Sequence, residues 1–572
     1  MINRNPADFM LSARLMLCCF LIFLVHSFWA WFINQPQDAG IDVPTGKLTS
    51  LSFAPFREGY SPLEEIFPLP QHIDQDLKLL ADKTHCIRTY SSLGGLEPTP
   101  ELARKYGLSM IQGGWLGYGA MDNKMEMAAL IQSANANPDV VKRVIVGNEV
   151  LLRGEMGVDK LISYIREVRQ AVKQPVSYAD VWSMYMKYPQ LFKEVDFITI
   201  HILPYWEDEP ISVDFASDHL EKIVKQVEDE ARGIAPGKPI LIGESGWPSA
   251  GRQRGLALPS VINEAKFIRG MIQVANRHGF DYNIVEAFNQ PWKSNLEGVV
   301  GANWGLFSAD RKPVFPLTGQ VIENQNWLTH FALATVLWFL IIAVFLKKLI
   351  GLSIIELMTW LSLALAFSIS LVFLGDFLWY TSYSDLQRTY SVAISVINAW
   401  LGYILLRRYT DILDNQPGQQ PLAASLRTTY LFFVVLGLYK TYGLAVHGRY
   451  LSFPIDQFLI PVIGILGLIV CQWLKAGKLT KQTLGLNHLS GFNHAGTRDH
   501  LIAYALTFAA IAMVIGETRA FMDGRDFLLA HPGFSEGLSV ALSYTLKNQQ
   551  LLIWIGCLLG LSLPFWSNKK LQ

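Results

Sequence analysis

Between Leu51 and about Val321, short apolar, β-branched runs alternate with longer amphipathic, charged stretches. Runs of the first kind, bounded by Gly, Pro, Asn and Asp, read as strands; the second kind carries helical spacing. Strands are predicted at Leu51–Phe56, Cys86–Ser91, Ser109–Gly113, Val144–Gly147, Val176–Asp180, Phe197–Ile202, Ile240–Gly243 and Asn283–Ala287. Leu161, Ile162, Ile165, Val168 and Val172 recur at the spacing of one helix face and predict an outer helix over Leu161–Val172. Eight strands with helices between them over about 275 residues fit one closed parallel (β/α)8 barrel.

On either side of this region the polar positions thin out. Leu15–Ile33 is an apolar run of about one membrane thickness. Arg4 and Arg14 precede it and no small-x-small cleavage site follows, so it reads as an uncleaved anchor. Beyond Asn326 seven further spans are predicted, at 328–346, 354–375, 390–406, 427–446, 456–474, 500–517 and 548–566. The expected organisation is an anchor and Pro/Gly/Asp linker over 1–47, the barrel over 48–326, and a polytopic membrane domain over 327–572. The fold class is thus α/β, a (β/α)8 TIM barrel, followed by an all-α transmembrane domain.

Composition adds to this picture in three ways. Mean hydropathy is positive, +0.24, as membrane spans require. The formal charge is zero overall, yet residues 48–326 carry 34 acidic and 28 basic side chains, and residues 327–572 carry 11 and 17. No basic cluster with interleaved aromatics appears in the barrel region, which excludes nucleic acid as a partner. Cys18, Cys19, Cys471 and Cys557 lie in apolar runs and Cys86 stands alone, so neither a disulfide framework nor metal-ligand spacing is present.

Loop charge sets an orientation. With the N-terminus inside, eleven basic residues fall on the cytoplasmic side: Lys347, Lys348, Arg407, Arg408, Arg427, Lys475, Lys478, Lys481, Arg498, Lys569 and Lys570. Five fall outside: Arg388, Arg449, Arg519, Arg525 and Lys547. This positive-inside bias puts the barrel outside the cytoplasm and both termini within it.

The candidate chemistry lies at two strand ends. Glu149 closes Val144-Ile145-Val146-Gly147-Asn148-Glu149, and Glu244 closes Ile240-Leu241-Ile242-Gly243-Glu244. They are 95 residues apart, about three βα units, and the carboxyl ends of barrel strands are where such folds keep their chemistry. A carboxylate pair facing one pocket is the equipment for glycosidic bond cleavage, one group as acid/base and the other as nucleophile. Such chemistry needs no cofactor and no metal.

The sequence Ile240–Gly251, with Glu244-Ser245-Gly246-Trp247-Pro248 at its centre, resembles the nucleophile signature of glycoside hydrolase family 17, the β-1,3-glucanases. Val146-Gly147-Asn148-Glu149 is similar to that family's Asn-Glu acid/base motif. Ile87-Arg88-Thr89-Tyr90, Trp115-Leu116-Gly117, Glu286-Ala287-Phe288, Gln290-Pro291-Trp292-Lys293 and Trp304-Gly305-Leu306-Phe307 extend the resemblance over about residues 48–322. It implies Glu244 as nucleophile and Glu149 as acid/base in a retaining reaction on β-1,3-linked glucan. Asn148 is then placed to bond the sugar 2-OH, and Arg88 and Tyr205 to hold the nucleophile ionised.

Trp247, Glu286, Trp292 and Lys293 complete the candidates for substrate binding. Trp292 reads as a sugar platform, whereas Trp115 and Trp247 fit core and binding equally. Glu286 and Glu297 fit structural pairing with Lys293 as well as substrate contact. His201 reads as a satisfied strand-end histidine. Two departures from the family pattern are Asn289, where an acidic residue is expected, and His201-Ile202-Leu203-Pro204-Tyr205 on strand six.

No cytoplasmic loop is long enough for a nucleotide-sugar domain, so this chain does not polymerise glucan and a separate glucan synthase is the expected partner. The leading expectation is a retaining β-glucan glycosidase or transglycosylase held in a bacterial inner membrane, its barrel periplasmic and the lipid bilayer its other partner. One alternative is a glucan export or assembly protein whose barrel processes the emerging polymer. Another is an inactive binding barrel, against which the presence of both glutamates argues.

Overall fold

The computed structural model describes residues 6–480, 483–492 and 499–566, with side chains from Ala13 onward. Arg4, which precedes the expected anchor, and Lys481, Arg498, Lys569 and Lys570, which count toward the orientation, lie outside the described residues. The chain forms two compact units, Pro36–Glu323 and a helical unit of Met1–Gln35 with Asn324–Gln572.

The first unit is a closed barrel of eight parallel strands in sequential order: β1 Leu48–Ser52, β2 Thr84–Arg88, β3 Ser109–Gly114, β4 Val141–Asn148, β5 Val176–Val181, β6 Ile198–His201, β7 Ile240–Ser245 and β8 Asp281–Ile284. The expected fold is observed. Each predicted strand has its counterpart, with shifted bounds: β1 and β2 begin and end a few residues early, β4 begins at Val141, and β8 stops at Ile284.

Alternation along the strands makes the two layers. Ile111, Ile145, Ala179, Phe197 and Leu241 form a small interior cluster, while their neighbours Val144, Val146, Ile242 and Ile198 join the larger core beneath the helices. The helix Val261–His278 shows how the outer ring is fixed. Ser260 caps it by accepting from the Asn263 N–H at 3.0 Å, Gly279 ends it at φ +70°, and Ala265, Ile268 and Ile272 are buried. Removing that cap costs about 1 kcal/mol. Toward the carboxyl face the interior becomes polar: Ser52, Arg88, Thr199 and Asn283 are all buried there.

The helical unit contains, among the described residues, seven helices long and apolar enough to cross a membrane: Ala13–Ile33, Trp327–Leu349, Ile354–Tyr380, Asp385–Leu413, Gln420–His447, Ile455–Ala476 and Asp499–Met522. The expected eighth span, 548–566, differs. It is the second arm of a bent pair, Phe534–Lys547 and Gln549–Phe565, that turns by 73°. Asn548 breaks the helix in an extended conformation (ψ 102°), and its side chain accepts from the Leu551 N–H to start the next one. The second arm runs antiparallel to Asp499–Met522: Glu517 meets Asn548 at one end and Tyr504 packs on Trp566 at the other.

Ion pairs join the helix ends that carry the basic residues. Lys475 meets Glu356 at 2.8 Å, Arg427 meets Asp499 at 2.9 Å, and Lys348 and Arg407 face Asp411.

Candidate active site

At the end of β4 the backbone leaves the barrel through two left-handed residues, Gly147 (φ +82°) and Glu149 (φ +53°). A glutamate in this region costs on the order of 1 kcal/mol and persists only where its surroundings hold it. Here the Glu149 N–H donates to Ala179 O at 2.8 Å, and Glu149 O accepts from the Arg153 N–H at 2.9 Å. On the opposite wall, the β6–β7 register shifts between Ile200 and His201, which sets His201 opposite Glu244.

Arg88, at the end of β2 and 1% exposed, ties these walls together. Its Nη1 donates to Gly243 O at 2.6 Å and lies 3.3 Å from Glu244 Oε1; its Nη2 donates to Asn148 Oδ1 at 2.6 Å. His201 is equally buried, with Nδ1 2.8 Å from Glu149 Oε1 and Nε2 3.6 Å from Glu244 Oε1. One oxygen of Glu149, one nitrogen of His201 and one oxygen of Glu244 all lie within 4.8 Å of one another. Such a donor set could take a divalent ion. The Arg88 guanidinium already beside Glu244 disfavours a second cation, so the cluster suits proton transfer better.

The surroundings divide the carboxyls. Burial alone would raise Glu149, but its hydrogen bond to His201 and the charges of His201, Arg153 and Arg88 outweigh it, so the group is held below the usual range. Glu286, fully buried, is pushed up to about 7 by burial despite Lys293 at 3.2 Å. Lys293 is raised in spite of its burial because Glu286, Glu297 and Glu244 all face it. The two shifts are consistent: one ammonium serves several carboxyls, so it stays charged while Glu286 favours its neutral form. Burial also raises Glu297, with Glu149 and Glu244 adding to the effect against Lys293.

The nine candidates separate into three groups. Glu149, Glu244, Asn148 and Arg88 meet in one cluster, though Arg88 is buried and acts through Asn148 and Glu244. Glu286 and Lys293 pair beside it, and Trp292 is half-buried, donating through Nε1 to Gln290 Oε1 at 2.8 Å. Tyr205 and Trp247 correct the expectation. Tyr205 is fully buried and its single hydroxyl proton goes to Arg252 O, so it does not donate to Glu244. Trp247 is also fully buried, against Tyr205 and Phe267, with Nε1 donating to Leu258 O; no face remains for a sugar. By contrast Trp115 is 43% exposed, lies under the Arg153 guanidinium (4.4 Å to the ring centroid), and lines a cavity of about 450 Å³ with Tyr118, Glu126 and Glu155.

Two residues of the cluster have no site role in the sequence reading, which takes His201 for a satisfied strand-end histidine and does not single out Asp180. His201 bonds Glu149, and Asp180, on β5, is fully buried and raised to about 6 by burial, with the Tyr178 hydroxyl bond opposing and the Glu149 charge adding. Both stand at the carboxyl ends of strands, the signal that singled out Glu149 and Glu244. Asn289 has a structural explanation: its Oδ1 accepts from the Gly305 N–H at 2.9 Å and its Nδ2 donates to Asn303 Oδ1. Gly305 must lack a side chain, since a Cβ would lie 2.2 Å from Asn289 N.

A closed (β/α)8 barrel whose β4 and β7 ends bring two glutamates together is the arrangement expected of a glycoside hydrolase. Residues 51–305 match the family described as the BtgE/BtgC glycoside hydrolase domain. A glucan 1,3-beta-glucosidase of Schizosaccharomyces pombe is 30% identical over 239 residues, which is 39% of this chain and 74% of that protein. One from Arthroderma benhamiae is 28% identical over 268 residues, 44% of this chain and 86% of that one. Among solved structures, a glycoside hydrolase family 17 β-1,3-glucanosyltransferase of Rhizomucor miehei is 28% identical, with a TM-score of 0.41 over 47% of this chain and 96% of that one. The chain belongs to the BtgE/BtgC glycoside hydrolase family and is an enzyme of that class.

Proposed function

We propose that the barrel cleaves or remodels β-1,3-linked glucan by a retaining double displacement, with Glu244 as nucleophile and Glu149 as acid/base. The observation that carries this reading is the approach of the two carboxyl groups: an oxygen of one lies within 4.8 Å of an oxygen of the other. Retaining enzymes hold them about 5–5.5 Å apart, whereas inverting ones leave ~6.5–9.5 Å for a water. Glu244 attacks the anomeric carbon as the bond to the bridging oxygen breaks, and that oxygen takes its proton from Glu149. A water or a sugar hydroxyl then attacks the same carbon and gives its proton to Glu149, returning the Glu244 carboxylate.

The chain's own residues support each step. Arg88 keeps a positive charge against Glu244 and accounts for Asn148 Oδ1, which leaves the Asn148 amide N–H to donate to a sugar hydroxyl. Lys293, paired with Glu286, and the half-buried Trp292 are read as substrate contacts. The substrate class is taken from the names of the relatives, glucan 1,3-β-glucosidases.

The apolar helices support a membrane location, with the basic helix ends inward and the barrel outside the cytoplasm. We read 1–47 as anchor and linker, 48–326 as catalytic and 327–572 as membrane-embedded. The relatives named above are fungal, so a bacterial inner membrane and a partner synthase rest on the resemblance of the anchored architecture. Incubating the full chain in detergent with laminari-oligosaccharides tests the function. Shorter products identify a hydrolase and longer or branched ones a transferase; unchanged oligosaccharide contradicts the proposal.

A further inference from the structure

His201 is unusual in touching both catalytic carboxyls from one ring. Its Nδ1 lies 2.8 Å from Glu149 Oε1, and its Nε2, buried and without a hydrogen-bond partner, faces Glu244 Oε1 at 3.6 Å. The imidazole packs close to Gly243, where a Cβ would come within 3.1 Å of the ring. Glu244 Oε1 also has Arg88 Nη1 at 3.3 Å. The Oε1 atom of each carboxyl is thus occupied. Each Oε2 takes no hydrogen bond from any described residue, and the two side chains remain 23% and 11% exposed.

We propose that His201 is a positioning residue that fixes which oxygen of each glutamate reacts: Oε2 of Glu244 forms the ester to the sugar, and Oε2 of Glu149 exchanges the proton with the bridging oxygen. This inference rests on the assignment of Glu244 as nucleophile and Glu149 as acid/base, and it goes beyond that assignment by naming the reacting atoms and the group that selects them. A carboxylic acid carries one proton, and a carboxylate attacks through one oxygen. A ring that takes the same side of both groups therefore removes two wrong orientations at once. Because the Nδ1 contact and the His201 charge favour ionised Glu149, His201 also sets the pH at which the acid form is lost. The other groups facing the pair are Arg88 from β2, Arg153 after β4, Asp180 from β5, Glu244 from β7 and Glu297 from the helix Ser294–Ala302; Glu286 and Lys293 face Glu244 from beyond.

The test has two arms, both on the full chain. In the first, His201→Asn and His201→Gln are compared with the wild type for kcat/KM against pH. Glu149 must be protonated to act as acid, and its ionised form loses support in the variants. The alkaline limb then moves up by about one pH unit, the size expected for a neighbouring charge at this distance. A drop in rate at every pH with an unmoved limb overturns the pH part of the proposal. The second arm needs no variant. The wild type is trapped with a 2-deoxy-2-fluoro laminaribiosyl fluoride and its structure determined. The ester is expected on the Glu244 oxygen turned away from Arg88 and His201, with the Glu149–His201 contact kept. An ester on the oxygen facing Arg88 overturns the assignment of atoms, whereas labelling of a different residue overturns the underlying choice of nucleophile.

Discussion

Arg88 Nη1 lies 3.3 Å from Glu244 Oε1, both groups are almost fully buried, and the same guanidinium reaches Asn148 through its other arm. One side chain thereby fixes Glu244, the proposed nucleophile on β7, relative to the Asn148 amide at the end of β4. A lysine keeps the charge but lacks the planar fork, so it cannot hold both.

Arg88→Lys should therefore lower kcat by about 10²-fold, the scale on which small misplacements of reacting groups are felt. KM should change less than kcat, and thermal unfolding should show a folded protein. A variant with near wild-type kcat would show that the bridge to Asn148 is dispensable.

The two glutamates should fail differently. Glu149→Ala is expected to lose roughly 10²–10⁴-fold in rate, the range for general acid–base catalysis, and azide should restore turnover with a β-glycosyl azide as product. Glu244→Ala should lose at least as much, and azide attacking the opposite face should give the α-azide. Mass spectrometry and NMR of the azide adducts check the assignment; the same anomer from both variants would exchange or merge the roles.

How much of this was legible in the sequence depends on what each residue's role requires. Glu149 and Glu244 could be found because a strand end followed by a turn is a local pattern. The eight-strand repeat was legible for the same reason, as each unit carries its own apolar run and amphipathic helix. His201 and Asp180 occupy equally informative positions, but their meaning lies in partners on other strands, 52 residues away for His201 and Glu149. The Ile200–His201 register shift that sets His201 opposite Glu244 leaves no mark in composition. Trp247 and Tyr205 mislead because a motif fixes identity and not exposure. Both fill the space behind β7, while Trp115 reaches the surface. The helix Phe534–Lys547 and its 73° turn into the last span were hidden because hydropathy reads apolar content and not direction.

Stability should depend on pH through Glu286. Its carboxyl is raised to about 7 in the folded barrel, mainly by burial, so its contribution is full below about 4.5 and is lost as pH rises through 7. The unfolding temperature of the wild type should fall between pH 5 and pH 8. Glu286→Gln, which keeps the neutral shape, should fall less over the same interval. Asp180, raised to about 6, acts in the same direction, so the variant should keep part of the slope. Equal slopes in differential scanning calorimetry would remove Glu286 as a source.

Topology can be checked by fusions. Alkaline phosphatase after Gln325 should be active, since the barrel's connections to Ala13–Ile33 and Trp327–Leu349 fall at the ends opposite the basic clusters. Green fluorescent protein at Gln572 should fluoresce if Gln549–Phe565 completes the eighth crossing. Fluorescence would be lost if the 73° bend marked a re-entrant hairpin. An inactive phosphatase would place the barrel in the cytoplasm and contradict the proposed location.

The central claim is a double displacement at Glu244 with Glu149 as its acid/base, and the configuration of the first product tests it most directly. The full chain is mixed with a laminari-oligosaccharide in D2O and the newly formed anomeric proton is followed by NMR before mutarotation. The close approach of the two carboxyls predicts that the β-anomer appears first, with the α-anomer growing only as mutarotation proceeds. An α-anomer formed first would mean a single inverting displacement by water and would contradict the mechanism.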